Sequence, residues 1–481
     1  MACQLIDDMN GNGIGKMKII KIAIIFVLAA VLILFFGCGI IGANSNEVED
    51  LTFASKSDYE RNDFYIDGEN AAPISASEPK GQNGIEDETA GQTQKPQTSG
   101  RADANQTLET DQATQTMQET NPPPATEEKN ETVRLSFLAA GDNIMHLNMI
   151  DDARERAKNG DNFNFRDMYR DIENLVKSYD IALVNVETPI AGDEFKYDGY
   201  PNFNTPKENG FALMEIGFEI INTANNHMLD QREKGYQNSI AFWNGQKNIL
   251  QIGSFADKED FENVRIYKKD GVSIAFLSYT YSTNGMALPS GSAMVIPYID
   301  YATIEKQVKA ARPLADLLFV VMHWGDEDSF APNQEQRSLA QMMVDNDVDL
   351  ILGMHPHVFQ ETKWVTRPNG KKTLITYSIG NMISGMLGAK NMIGGFLCFD
   401  IVKTTQGGIP ETTIENVEMI PIITHYNMKR KGFQLYRFED YTEELAKQHG
   451  NINWDNKFSY KYIKDLIVQN VAPEFLSDFY K

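Results

Sequence analysis

"VDLILGMHPHVFQ", residues 348–360, decides how the chain folds. Val348, Leu350, Ile351 and Leu352 form a short apolar run, the pattern of a strand buried on both faces of a sheet. The run ends in His355 and His357, with Pro356 between them. A lone histidine at a strand end is usually a satisfied polar residue. Two, held by a proline that fixes the backbone between them, can point as a pair. Similar stretches recur along the chain: "RLSFLAAGD" (134–142), "DIALVNVET" (180–188), "FEIINTANNH" (218–227), "VSIAFLSYT" (272–280) and "LLFVVMHWGD" (317–326). Each is an apolar run that ends in a polar cluster.

Helical patterns lie between several of these runs. Phe165, Met168, Tyr169, Ile172, Leu175, Val176 and Tyr179 recur at three- and four-residue spacing, which predicts one amphipathic helix over 165–179. A second is expected over 333–345, with Leu339, Met342 and Met343 inward. Apolar strands alternating with helices mean an α/β fold with its sheets covered by helices. The later runs "TLITYSIGN" (373–381), "GFLCFDIV" (395–402) and "TIENVEMIPI" (413–422) lack helices between them and read as antiparallel strands. The expectation is a β-sandwich flanked by helices over 132–425, followed by a helical extension, 426–481, packed on it.

In open α/β sheets, ligands bind outside the carboxyl ends of the strands. Those ends here carry Asp142, Asn185 with Glu187, Asn225-Asn226-His227, His323, and His355 with His357. Of the seven histidines, five (His146, His227, His323, His355, His357) sit at or just past such ends. The set offers carboxylate, carboxamide and imidazole without thiolate, which suits Mn²⁺, Fe²⁺ or Zn²⁺. One bridging carboxylate with separate ligands on each side is what a two-metal hydrolytic centre needs. Asn226 and Asp142 as turn formers, and His323 as a packed core histidine, is the competing reading of each residue taken alone.

The rest of the chain is organised around this domain. Ile22–Ala43, "IAIIFVLAAVLILFFGCGIIGA", carries no charge. At about 1.5 Å per residue it spans roughly 33 Å, enough for a bilayer core. Lys16, Lys18 and Lys21 precede it, so the positive-inside rule puts residues 1–21 in the cytoplasm and everything after the span outside. A cleaved signal peptide fits less well, because the run is long and lacks a clear small-x-small site. A lipoprotein processed at Cys38 also fits less well, because Phe35 and Phe36 precede it and the apolar run continues beyond. Residues 44–131 are rich in Thr, Gln, Glu, Asn, Ser and Pro, with no aromatic residue between Tyr65 and Phe137. Such a stretch buries too little to offset its ordering entropy and reads as a disordered extracytoplasmic tether. "GNGIGK" (11–16) lacks a preceding strand and a following Ser or Thr, so it is no phosphate loop.

Composition excludes two classes. The formal charge of −23 argues against nucleic acid as a partner, which needs a basic face. Of Cys3, Cys38 and Cys398, only the last lies in the folded part, so a disulfide framework or a cysteine zinc site is excluded there.

Six stretches together resemble the capsule-synthesis CapA family of poly-γ-glutamate biosynthesis proteins, similar to calcineurin-like metallophosphoesterases. They are "AAGDNIMH" (139–146), "NVETPI" (185–190), "ANNHMLD" (224–230), "HWGDED" (323–328), "VDLILGMHPHVFQ" (348–360) and "YSIGNMI" (377–383), within about 135–425. The resemblance implies a metallophosphoesterase-like sandwich holding one or two divalent ions (Mn, Fe or Zn). It implies Asp142 and His357 at the first ion, Glu187 as the bridge, and Asn226, His323 and His355 at the second. His227 would protonate the leaving group and Asp230 would orient it. His146, Asn185, Asn225, Glu327 and Asn381 are expected to line the pocket. The sequence departs from the phosphoesterase pattern at Ile144, where the pattern has a histidine, and at Glu187, where it has an aspartate. The implied function is a membrane-anchored, extracytoplasmic role in capsule or poly-γ-glutamate synthesis or export, as a metal-dependent hydrolase or transferase. The alternative is a non-catalytic subunit that binds the anionic polymer. Expected partners are the membrane through 22–43, the polymer, and capsule-synthesis membrane subunits.

Overall fold

The computed structural model describes residues 131–481 except Asn159. The expected cytoplasmic segment, membrane span and nearly all of the tether lie outside the described residues. Among those described, no helix is long and apolar enough to cross a membrane.

The strands, in chain order, are β1 (Glu131–Asn143), β2 (Ile181–Val186), β3 (Ile220–Asn222), β4 (Leu250–Ile252), β5 (Arg265–Lys269), β6 (Val272–Thr280), β7 (Leu317–His323) and β8 (Leu350–Met354). They continue with β9 (Thr362–Thr366), β10 (Lys372–Thr376), β11 (Asn381–Ile383), β12 (Ile393–Gln406), β13 (Ile409–His425) and β14 (Gln434–Arg437). They form two mixed sheets. The first runs β14-β13-β12-β1-β2-β3-β4, with β11 paired to β1; the second runs β5-β6-β7-β8-β10-β9. In the first sheet β1–β4 are parallel; in the second, β6, β7, β8 and β10 are parallel. A parallel pair needs a crossover, and all but one of these connections carry a helix; β8 reaches β10 through the antiparallel strand β9 instead.

Aromatic rings from both sheets join them face to face. Phe319 of β7 lies 5.5 Å from Phe137 of β1 and 5.9 Å from Phe399 of β12, and Phe276 of β6 completes the group. Burying each ring contributes about 1.5–3 kcal/mol. The period of two then sorts β7. Leu317, Phe319 and Val321 enter the core between the sheets, whereas Leu318, Val320 and Met322 pack with Ile304, Val308, Leu339 and Met343. The latter four belong to the helices Tyr301–Ala311 and Gln334–Asp345. The second helix is the one expected over 333–345, opened by a capping box of Asn333 and Gln336. By the same alternation His323, last in β7, continues the row of Leu317, Phe319 and Val321.

Three expectations need correction. The helix expected over 165–179 is two short ones, Arg166–Tyr169 and Glu173–Lys177. The chain tightens between them, where Ile172 N–H bonds to Tyr169 O, three residues back. The apolar stripe survives the break: Phe165, Met168, Tyr169, Ile172 and Val176 are all buried. The segment 426–481 is not helical throughout. It contains β14, which pairs with β13 through Ile422↔Arg437 to His425↔Gln434, before the helices Glu443–Gln448 and Tyr460–Asn470. Strand β1 begins at Glu131, the last residue assigned to the tether, because Glu131 pairs with Thr405 of β12. The two remaining histidines, His425 and His449, pack on each other 5.0 Å apart, and burial lowers the pKa of each.

A candidate metal centre at the strand ends

Asp142 reaches the site through an irregularity in β1. Its strand is in register with β2 up to Ala140↔Val184 and resumes at Asp142↔Asn185, so Gly141 is an extra residue. Such a bulge re-aims the next side chain. Only glycine fits there: a Cβ on Gly141 would lie 1.9 Å from the carbonyl oxygen of Gly380.

The histidine pair is built by strained backbone. His355 has φ of 96° and His357 of 57°, both in the left-handed region that side chains avoid. The turn is wrapped on Asp142: His355 N–H donates to Asp142 Oδ2 at 3.2 Å, and His357 Nδ1 lies 3.1 Å from the same oxygen. His357 Nδ1 also faces Asn381 Oδ1 at 3.0 Å. Two acceptors at one nitrogen mean that Nδ1 carries a hydrogen, so Nε2 is the ring atom turned to Glu187. Nε2 points at Glu187 Oε1, 3.7 Å away. β7, the neighbour of β8 in the second sheet, adds a third imidazole. His323 Nε2 lies 3.7 Å from Glu187 Oε1 and 3.1 Å from Asn226 Oδ1. The His355 ring is 4.8 Å from that of His323.

Glu187 is the centre of this arrangement. It is fully buried, yet neither of its oxygens receives a hydrogen bond. His323 Nδ1 and His355 Nδ1 are also buried without a partner. Buried polar atoms are nearly always satisfied, and a cluster left open calls for an ion. The spacing suits one: ligand atoms of Glu187, His355 and His357, and of Asp142, Glu187 and His323, lie within 4.8 Å of one another. Metal–ligand bonds of about 2.0–2.2 Å fit between such atoms.

The charges divide accordingly. Burial drives His323 and His355 well below the usual imidazole range, so both present neutral lone pairs. Burial, with the charge of Asp142, pushes the Glu187 carboxyl well above its ordinary range. Burial alone would lower His357 too; Glu187 and the hydrogen bond to Asp142 outweigh it and raise its pKa to about 10. The His357 ring therefore carries a proton beside Glu187, and a cation that binds Nε2 must displace it. Metal uptake is expected to release about one proton, so affinity rises up to tenfold per pH unit between pH 6 and 8. Calorimetry in buffers of different ionisation enthalpy measures that proton; an affinity flat with pH contradicts the assignment.

His227 and Asp230 stand beside the cluster. His227 Nδ1 lies 2.9 Å from Asp230 Oδ2, which also accepts Phe203 N–H at 2.8 Å. Asn185 Nδ2 donates to Asp142 Oδ1 at 2.7 Å. Asn225 braces the loop, donating to Val186 O and accepting His227 N–H. Glu327 is half-buried near the site; its charge acts on Glu187, His357 and Tyr281. His146 stands apart from the ligand cluster. It accepts Gly385 N–H, and the ring of Phe203 touches both it and His227. Ile144, without a ligand atom, is buried.

Sequence reasoning missed Tyr281 and Asn284. The Tyr281 ring lies 4.4 Å from His355 and stacks over His323 at 6.4 Å, while remaining 41% exposed, so it covers the imidazoles. Asn284 lies 3.4 Å from both Asn226 Nδ2 and His227 Nδ1. Both follow the carboxyl end of β6, where the polar cluster Tyr281-Ser282-Thr283-Asn284 contains neither acid nor histidine.

Two sheets whose parallel strands converge on buried imidazoles and carboxylates define an α/β sandwich with a candidate metal centre. The family model described as "Bacterial capsule synthesis protein PGA_cap" matches residues 136–386, just over half of the 481 residues, and the chain belongs to that family. It is similar to PGA biosynthesis protein CapA of Bacillus subtilis (strain 168), 28% identical over 258 residues, covering 53% of this chain and 66% of the relative. It is also similar to capsule biosynthesis protein CapA of Bacillus anthracis, 30% identical over 224 residues, covering 45% of this chain and 53% of the relative. The chain thus spans less than two thirds of the length of either relative. Among solved structures it is similar to the calcineurin-like phosphoesterase YfkN from Bacillus subtilis, at 12% identity and a TM-score of 0.37, covering 70% of this chain and 97% of that one. Haemophilus influenzae NAD nucleotidase (NadN) matches at 14% identity and a TM-score of 0.37, covering 72% and 58%. What the site can do chemically follows from its own side chains.

Proposed function

We propose that this chain is a membrane-anchored, extracytoplasmic protein of capsule or poly-γ-glutamate synthesis or export, with a metal-dependent hydrolase or transferase centre. The observation that carries the chemistry is Glu187, a buried carboxylate without a hydrogen bond, facing His323 and His357 at 3.7 Å. Asp142, Glu187, Asn226, His323, His355 and His357 would hold one or two ions of Mn, Fe or Zn. Bound there, the metal supplies Lewis acidity and an activated water to a phosphoester or acyl substrate. His227 holds the proton for the leaving group at Nε2, since its Nδ1 is turned to Asp230. Asp230 keeps that orientation because Phe203 N–H fixes the same carboxylate oxygen. Tyr281 shields the imidazoles from bulk water. The anchor rests on the uncharged run 22–43 behind its lysines, and partners in the membrane and in an anionic envelope polymer follow from that placement and from the family.

His227→Ala is expected to keep metal content normal and to lower turnover of an activated phosphodiester by about 10²–10⁴-fold. Loss of metal in that variant would make His227 a ligand instead. A second reading, a polymer-handling subunit without turnover, is favoured by Ile144, which puts a buried aliphatic chain where the phosphoesterase pattern has a ligand. Cells decide between them. If His227→Ala makes normal capsule while deletion makes none, the enzyme reading falls.

A further inference from the structure

Asp142, Asn185 and Asn222 are register partners across β1, β2 and β3, so their side chains stand in one row on the first sheet. The row is hydrogen-bonded throughout. Asn185 Nδ2 donates to Asp142 Oδ1 at 2.7 Å, and Asn222 Nδ2 donates to Asn185 Oδ1 at 2.7 Å. From the second sheet, the hydroxyl of Ser278 on β6 donates to Asn222 Oδ1 at 2.5 Å. All four residues are buried. The direction of every bond is forced. A carboxylate only accepts, so Asn185 must turn its N–H to Asp142 and its oxygen to Asn222; Asn222 must then turn its oxygen to Ser278. Dipoles aligned head to tail strengthen one another. The far oxygen of Asp142 holds His357 Nδ1 and His355 N–H.

We propose that Ser278 and Asn222, neither of which contacts the ligand cluster directly, are positioning residues of the metal centre. Their relay locks the rotation of the Asp142 carboxylate, and Asp142 in turn presents His357 Nε2 toward Glu187. The inference rests on the metal-centre reading above. It deepens that reading by placing part of the site's support in the opposite sheet. Outer partners of this kind typically alter metal affinity by about 10–100-fold.

The test is titration of the purified chain with MnCl₂ by calorimetry, with the ion-free melting temperature recorded beside it. Asn222→Asp keeps the shape but removes the donor, so Asn185 must reverse and turn its oxygen onto Asp142. The Mn²⁺ Kd is expected to rise at least tenfold in Asn222→Asp and several-fold in Ser278→Ala. Ser278→Thr, which keeps the hydroxyl, should return it to within twofold of wild type. A purely structural row would lower the ion-free melting temperature and leave the Kd within twofold in every variant, which overturns the proposal. Should Asn222→Asp not fold, the Ser278→Ala and Ser278→Thr pair decides alone. Wild-type protein that takes up no Mn²⁺ overturns the metal-centre reading, and the relay with it; wild type that binds while the variants bind equally well overturns the relay only.

Discussion

Replacing Glu187 by glutamine is expected to abolish metal uptake and to raise the melting temperature of the ion-free protein. Most substitutions of a fully buried charged residue destabilise, because they break a pair. Glu187 differs: both oxygens lack a hydrogen bond, and the nearest imidazole nitrogens stand at 3.7 Å. A buried polar group left unsatisfied costs about 1–3 kcal/mol, and a charged one more. Glutamine keeps the volume and takes away a carboxyl whose anion burial and Asp142 already disfavour. Each kcal/mol recovered raises the melting temperature by about 2–4 °C in a domain of this order of size. The same change removes the one carboxylate that faces both His323 and His357, so stabilisation by added metal should vanish. Differential scanning fluorimetry with and without MnCl₂ reads both effects. A fall in the ion-free melting temperature would mean that Glu187 is a structural member of an imidazole–carboxylate network.

Gly141→Ala is expected to damage stability and site together. The added Cβ would meet Gly380 O at 1.9 Å and Gly380 C at 3.0 Å, both backbone atoms that cannot swing aside. Gly380 O is also the acceptor for Asp142 N–H, at 3.2 Å. Overpacking of this kind typically costs about 1–3 kcal/mol and occasionally more. The strands must separate or the bulge must move, and either shifts Asp142 away from His357. A lower urea midpoint and a Mn²⁺ affinity weakened by about 10–100-fold are the expected results. An alanine variant with unchanged affinity would show that the bulge does not aim Asp142.

The strand-end rule picked out most of the candidate cluster because its signal is local. A run such as Leu317–Met322 is apolar enough to be buried on both faces, so the first polar residue after it, His323, stands at a sheet's carboxyl edge. Asn222 ends Ile220–Ile221 in the same way, but the reading of that strand end passed over it to Asn225, Asn226 and His227. Its role was hidden because Ser278, the donor that fixes it, lies on the opposite sheet. Tyr281 and Asn284 were missed because the residues just after β6 carry no carboxylate or imidazole. The break at Ile172 was invisible because apolar spacing of three and four fits a continuous helix and a tightened one equally well. β14 is four residues long, too short for alternation to show. The pairing of β1 with β12, in which Arg134 reaches Asp400 at 2.6 Å, joins residues 266 apart in sequence and follows from the assembled sheet rather than from any local pattern.

His323, His355, His357 and Glu187 are proposed to converge on a transition metal. Metal analysis of the purified chain, by inductively coupled plasma mass spectrometry after passage through a chelating column and reloading with Mn²⁺ or Zn²⁺, tests it directly. At least one ion per chain is expected in the wild type and none in His355→Ala/His357→Ala with the fold intact by circular dichroism. A wild type that remains metal-free, or a double variant that keeps its ion, would contradict it.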